Sequence, residues 1–150
     1  MSLGWSDLTP EGKKYFAELQ KLANLEVQVG FQDGASDDEC TSYAEIAAYN
    51  ELGTSTTPSR PFMKQSFENH EDELQSACDR VNTVLSNGGT TDSALNELGV
   101  YVKGLVQDEI VNGDFEPNAP STIKRKGSDK PLIDTGRMRQ SVNYVVKGRK

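Results

Sequence analysis

Few side chains in this sequence stand at the spacings that chemistry requires. Asp33, Asp37, Asp38 and Glu39 place four carboxylates within seven residues, a density of oxygen that attracts divalent cations. A calcium loop needs ligands at alternate positions and a closing bidentate Glu at the twelfth, and this run has neither. His70 is the only histidine and sits beside Glu71 and Glu73. With no His-Glu-x-x-His spacing it reads as a surface histidine on the acidic side of a helix. Cys40 falls in a polar stretch and Cys78 in an apolar register, where it reads as a small core residue. The two form neither a C-x-x-C pair nor a metal-ligand spacing, so reduced thiols are expected. No serine lies in a Gly-x-Ser-x-Gly turn, and there is no Gly-x-Gly-x-x-Gly or phosphate-loop run. No catalytic residue, cofactor or metal is expected.

The cations are more informative. Arg60 stands between Pro58 and Pro61, and Pro61 pushes it away from helical geometry, so its five-donor guanidinium is carried on stiff, extended backbone. That planar fork suits a carboxylate or several loop carbonyls at a subunit junction. Glu51 is expected to pair with Arg60, Asn50 to bond to backbone in the turn, Gly53 to take positive φ after a helix, and Phe62 to anchor the next helix in the core. Lys124, Arg125 and Lys126, with Lys130, form a basic centre that could hold phosphates without reading bases. Asp134, Thr135 and Gly136 read as a cap and tight turn. Arg137 and Arg139 either meet a neighbouring acidic face or point to solvent.

Positioning these groups requires an α+β chain: an antiparallel sheet packed against long helices, with a long projecting basic loop. Ser6 or Asp7 is expected to cap a helix running to about Leu22, with Pro10 in its first turn and Phe16, Leu19 and Ala23 on its apolar face. Leu25, Val27, Val29 and Phe31 alternate with Glu26, Gln28 and Gly30 as a half-buried strand. Asp33-Gly34 begins a turn, and residues 35–41 read as an exposed loop. Ser42 and Glu45 make a capping box for a helix to about Leu52. Met63, Phe67, Leu74, Cys78, Val81 and Leu85 predict one long helix over residues 62–86, with an acidic opposite face. Asn87-Gly88-Gly89 stops it. A second long helix follows, capped by Thr91 and ending at Asn112-Gly113, with Ala94, Leu95, Leu98, Val102, Leu105, Val106 and Ile110 as its stripe. Residues 113–133, with three prolines, read as a loop; loops of that length usually bind something. Leu132 and Ile133 return to the body, Val142, Tyr144 and Val146 form a last strand, and residues 147–150 read as a mobile tail.

At 150 residues the chain is expected to be a single domain. Its formal net charge of −7 hides an asymmetry: residues 1–110 hold 19 acids against 7 bases, whereas residues 111–150 hold 4 against 9. Overall acidity argues against broad nucleic-acid binding, while a basic arm and an acidic body could meet head to tail in a ring. No apolar run approaches the ~20 residues that cross a bilayer, and the start lacks a secretory pattern, so an intracellular origin is expected.

Two segments carry a family resemblance. Tyr43 to Thr54 followed by Pro58-Ser-Arg-Pro-Phe62, and Asn118 to Gly127 leading to Pro131-Leu-Ile-Asp-Thr-Gly-Arg-Met-Arg-Gln-Ser-Val142, resemble the signatures of tailed-bacteriophage and prophage tail completion, head-to-tail joining or minor tail proteins. The similar regions span about residues 24–146. The resemblance implies a non-enzymatic virion protein, made in the bacterial cytoplasm and assembled as a ring, for which a hexamer matches the sixfold layers of tail tubes. The ring would lie at the head-proximal end of the tail, with tail tube or terminator and head connector proteins as partners. It also implies that the 113–133 loop reaches a neighbouring subunit. The alternatives are a neck component that touches DNA through Lys124, Arg125 and Lys126, and a cytosolic prophage protein without enzymatic activity.

Overall fold

The computed structural model describes residues 4–31, 42–115, 117, 118, 120–126, 132 and 137–149, without the side chains of Ser121, Arg125 and Lys126. Over these residues the fold is mixed α+β, with long helices packed on a two-stranded antiparallel sheet. A 3-10 turn at Trp5–Asp7 precedes α1 (Pro10–Ala23) and β1 (Leu25–Phe31). Then come α2 (Tyr43–Leu52), α3 (Phe62–Glu68), α4 (Glu71–Ser86) and α5 (Thr91–Asn112). The chain closes with α6 (Pro120–Lys126), α7 (Arg137–Ser141) and β2 (Val142–Gly148).

β1 forms where alternation predicts it and pairs with β2 without a bulge, from Leu25 opposite Gly148 to Phe31 opposite Val142. The pairing continues past the expected end of β2. Lys147 and Gly148 lie opposite Glu26 and Leu25, and the Arg149 N–H donates to the Asn24 carbonyl at 2.8 Å. Residues 147–149 are therefore strand and strand end rather than a mobile tail. β1 offers backbone partners along its full length, and a paired backbone is cheaper than a solvated one beside a buried face.

α5 is the central element, touching α4, α3, α1, α7 and both strands. Its inner face buries Thr91, Ala94, Leu95, Gly99, Val102, Val106, Glu109 and Ile110, the period of an amphipathic helix. Tyr144 of β2 lies flat against Gly99, where a Cβ would come within 2.2 Å of the Tyr144 ring, and the Tyr144 hydroxyl donates to Asn96 Oδ1 at 2.9 Å. Only glycine allows the strand that approach. One apolar cluster joins Tyr43, Ala47, Phe62, Val106, Ile110, Leu132, Met138 and Val142. A second gathers Val81, Ala94 and Leu95 with Leu22, Leu25, Val27 and Val146 around it.

Several expectations are corrected. The cap of α1 is Thr9, which accepts from the Gly12 N–H, whereas Asp7 accepts from Gly4 within the 3-10 turn. Phe16 is 45% exposed, and the buried residue of α1 is Glu18. Thr90 rather than Thr91 caps α5. The helix expected over residues 62–86 breaks at Asn69-His70. Asn69 stays exposed but its amide donates to the buried Glu109 carboxylate at 3.2 Å, and His70, half-buried in the break, has its Nδ1 2.9 Å from the Ser66 carbonyl. On α4 the stripe keeps Val81 and Leu85 but takes Ala77 in place of Cys78, which is exposed, and on α3 Phe67 is 40% exposed. Residues 120–126, expected within a loop, form α6 with Pro120 as its first residue, where a missing N–H costs nothing.

Candidate assembly site

The joint between α2 and α3 is built outward from capping. Ser42 accepts from the Glu45 N–H and Glu45 accepts from the Ser42 N–H, so α2 starts where the capping box places it. It stops at Gly53, whose φ of 76° and N–H bond to the Tyr49 carbonyl end the helix. A Cβ there would lie 2.9 Å from the Ser59 backbone nitrogen, so the turn folds tightly over a residue that must be glycine. Thr54 closes the turn by donating its N–H to the Thr57 carbonyl and accepting the Thr57 N–H on its hydroxyl. The Ser59 hydroxyl donates to the Glu51 carbonyl, and the Arg60 N–H to the Asn50 carbonyl.

Glu51 and Asn50 do not take the roles expected of them. The Glu51 carboxylate accepts the N–H groups of Met63 and Lys64 at 2.9 and 3.0 Å, which makes it a remote cap for α3, a helix with no capping side chain at its own N-terminus. The Asn50 amide donates back to the Ile46 carbonyl inside α2, and its backbone oxygen serves the joint. Arg60 is 5% exposed, and its guanidinium donates to the Pro117 carbonyl at 3.4 Å, which ties the joint to the segment after α5. Pro61 precedes α3 directly, and Phe62 is fully buried as expected, edge-on to Phe31 at 6.1 Å.

Of the other expected site residues, Lys124 is exposed on α6, and Arg137 and Arg139 are exposed on α7, which packs against α2, α5 and β2. The side chains of Arg125 and Lys126 lie outside the described residues, as do Asp134, Thr135, Gly136 and the carboxylates from Asp33 to Glu39. Among the described residues no three His, Cys, Asp or Glu side chains gather as a metal site, and no helix is long and apolar enough to cross a membrane.

Sequence reasoning missed two features beside this frame. Tyr49 and Leu52, at the end of α2, are 51% and 79% exposed directly before the braced turn. Glu18 is buried against the start of α5: its carboxylate accepts the Thr91 N–H at 2.8 Å, its backbone oxygen accepts the Thr91 hydroxyl at 2.7 Å, and Lys21 lies 3.3 Å away. The Thr91 N–H, then the Thr91 hydroxyl, then Lys21 hold the Glu18 carboxyl below its ordinary range against the opposing effect of burial. Exposure of Leu52 has a faint signal, since Leu directly before Gly53 sits where a helix ends and little of the chain can cover it. Glu18 has none, because its partner is remote in sequence.

No known family pattern, curated protein or solved structure matches this chain.

Proposed function

We propose that this chain is a structural protein of a tailed-phage or prophage virion, one subunit of a ring that completes the head-proximal end of the tail and helps join tail to head. The reading rests on the resemblance of the 43–62 and 118–142 segments to proteins of that kind. The structural observation that carries it is the pair Tyr49 and Leu52, exposed on the last turn of a helix that the Arg60 joint holds rigidly. An apolar surface on a braced support is what a subunit contact needs, because ordering it costs little further entropy. Exposed Lys124 and Arg139 lie on elements distinct from the acidic α4, whose Glu71, Asp72, Glu73 and Asp79 are exposed, and that separation supports neighbours meeting head to tail.

Mixing the purified chain with tail tubes tests the reading by electron microscopy and co-sedimentation. The wild type is expected to cap tube ends, and Leu52→Glu to fail while its circular dichroism is unchanged. Failure of the wild type to attach at any concentration would overturn the role. Attachment of Leu52→Glu at wild-type level would remove the α2 surface from it.

A further inference from the structure

α5 buries one side against the sheet and the neighbouring helices. Its other side carries Ser93, Glu97, Val100, Gly104, Gln107 and Val111 at alternating spacings of four and three, the period of a helix–helix seam. Val100 is 58% exposed, and a Cβ placed on Gly104 would meet nothing within 4 Å. Two open grooves flank this side. One, of about 560 Å³, is bounded by Arg80, Glu97 and Tyr101; the other, of about 410 Å³, by Asp108, Val111 and Arg139. Each groove holds one cation and one carboxylate. Both cations stand on fixed supports: the Arg80 guanidinium lies 5.1 Å from the centre of the Tyr101 ring, and the Gln107 amide donates to the Arg139 carbonyl at 3.0 Å.

We propose that this face pairs with the same face of a second copy, α5 against α5, antiparallel about a two-fold axis at the level of Val102. Val100 of each copy then fills the space over Gly104 of the other, and the absent side chain lets the helix axes come close. The rotation also lays the Arg80–Glu97 end of one copy on the Asp108–Arg139 end of the other, so Glu97 meets Arg139 and Asp108 meets Arg80. A parallel arrangement would set Glu97 on Glu97 and Asp108 on Asp108, losing both pairs. Such a contact is isologous and closes at two copies. It differs in kind from head-to-tail ring neighbours and does not depend on the virion reading.

Sedimentation equilibrium of the full chain tests the pair, with circular dichroism confirming that each variant folds. The wild type is expected to sediment as a dimer, Val100→Arg as a monomer, and Glu97→Arg to weaken association about tenfold or more, with Glu97→Arg/Arg139→Glu restoring it. Disulfide trapping supplies the geometry. In a Cys40→Ser/Cys78→Ser background, mixed Val100→Cys and Gly104→Cys chains should cross-link with each other faster than either does with itself. A monomeric wild type, a Val100→Arg variant that pairs as well as wild type, or equal cross-linking of the single variants would each overturn the proposal. If the wild type forms a larger ring instead, absence of the mixed cross-link overturns it.

Discussion

Glu18 ties α1 to the start of α5 with a single side chain. Its carboxylate takes the Thr91 N–H while its backbone oxygen takes the Thr91 hydroxyl, so a negative charge sits at the positive end of the longest helix. That arrangement holds its pKa below the ordinary 4.5, which makes it a source of acid sensitivity. A depressed folded pKa means that the unfolded chain binds the proton more readily. The stabilisation is therefore present above the ordinary carboxylate pKa and is lost as pH falls through the lower folded value. Urea midpoints measured from about pH 7 down to about pH 3 should fall for the wild type and fall less steeply for Glu18→Gln. Parallel acid limbs would place the linkage on another carboxylate. Residue-scale pairing of this kind is not legible in a sequence. Periodicity treats a charge on an amphipathic helix as outward-facing, and the N–H that accounts for Glu18 belongs to the first residue of α5, across the fold. Phe62 was legible, because a large aromatic side chain directly after a proline-fixed turn has little choice but the core.

Glu51 bridges the end of α2 to the start of α3, a role that belongs to elements rather than to residues. α3 follows Pro61 with no local cap, and the carboxylate at the end of α2 satisfies two of its first free N–H groups. Glu51→Ala should destabilise the protein by about 1–2 kcal/mol in chemical denaturation, and Glu51→Gln by less, since its amide oxygen still accepts. Equal midpoints for Glu51→Ala and wild type would mean that the prolines alone set the joint. The element boundaries that could be read beforehand, β1, α2 and the body of α5, are those where propensity, period and cap chemistry agree. The break at Asn69-His70 disagrees with the local pattern. Neither residue forces a helix to stop, and the partner that Asn69 finds in the break, the buried Glu109, lies across the interface and remote in sequence. Within α4, a step of four from Leu74 puts Cys78 inside, whereas a step of three reaches the buried Ala77. The helix α6 was hidden for a different reason: between prolines, Ile123 is its one large apolar side chain and gives no period to detect.

On the scale of the molecule, α5 is a spine with the sheet and α4 laid along it. The 113–133 segment departs from its expected form by containing α6, whereas the sheet completes the architecture in an unexpected way by reaching residue 149. Removing residues 147–150 would delete the partners of Leu25 and Glu26 and the bond from Arg149 to Asn24. This truncation should cost about 1–2 kcal/mol and lower the thermal midpoint, which differential scanning calorimetry would register; an unchanged midpoint would show that the end of the strand adds nothing. The pairing of β1 with β2 has one more consequence. On the ribosome, residues 25–31 leave the exit tunnel long before residues 142–148 exist, so β1 must wait through the synthesis of all the intervening helices without its native partner. The sheet then closes only after the helices between its strands have been made, and until then the nascent chain carries an open edge that cellular chaperones can meet before the fold does.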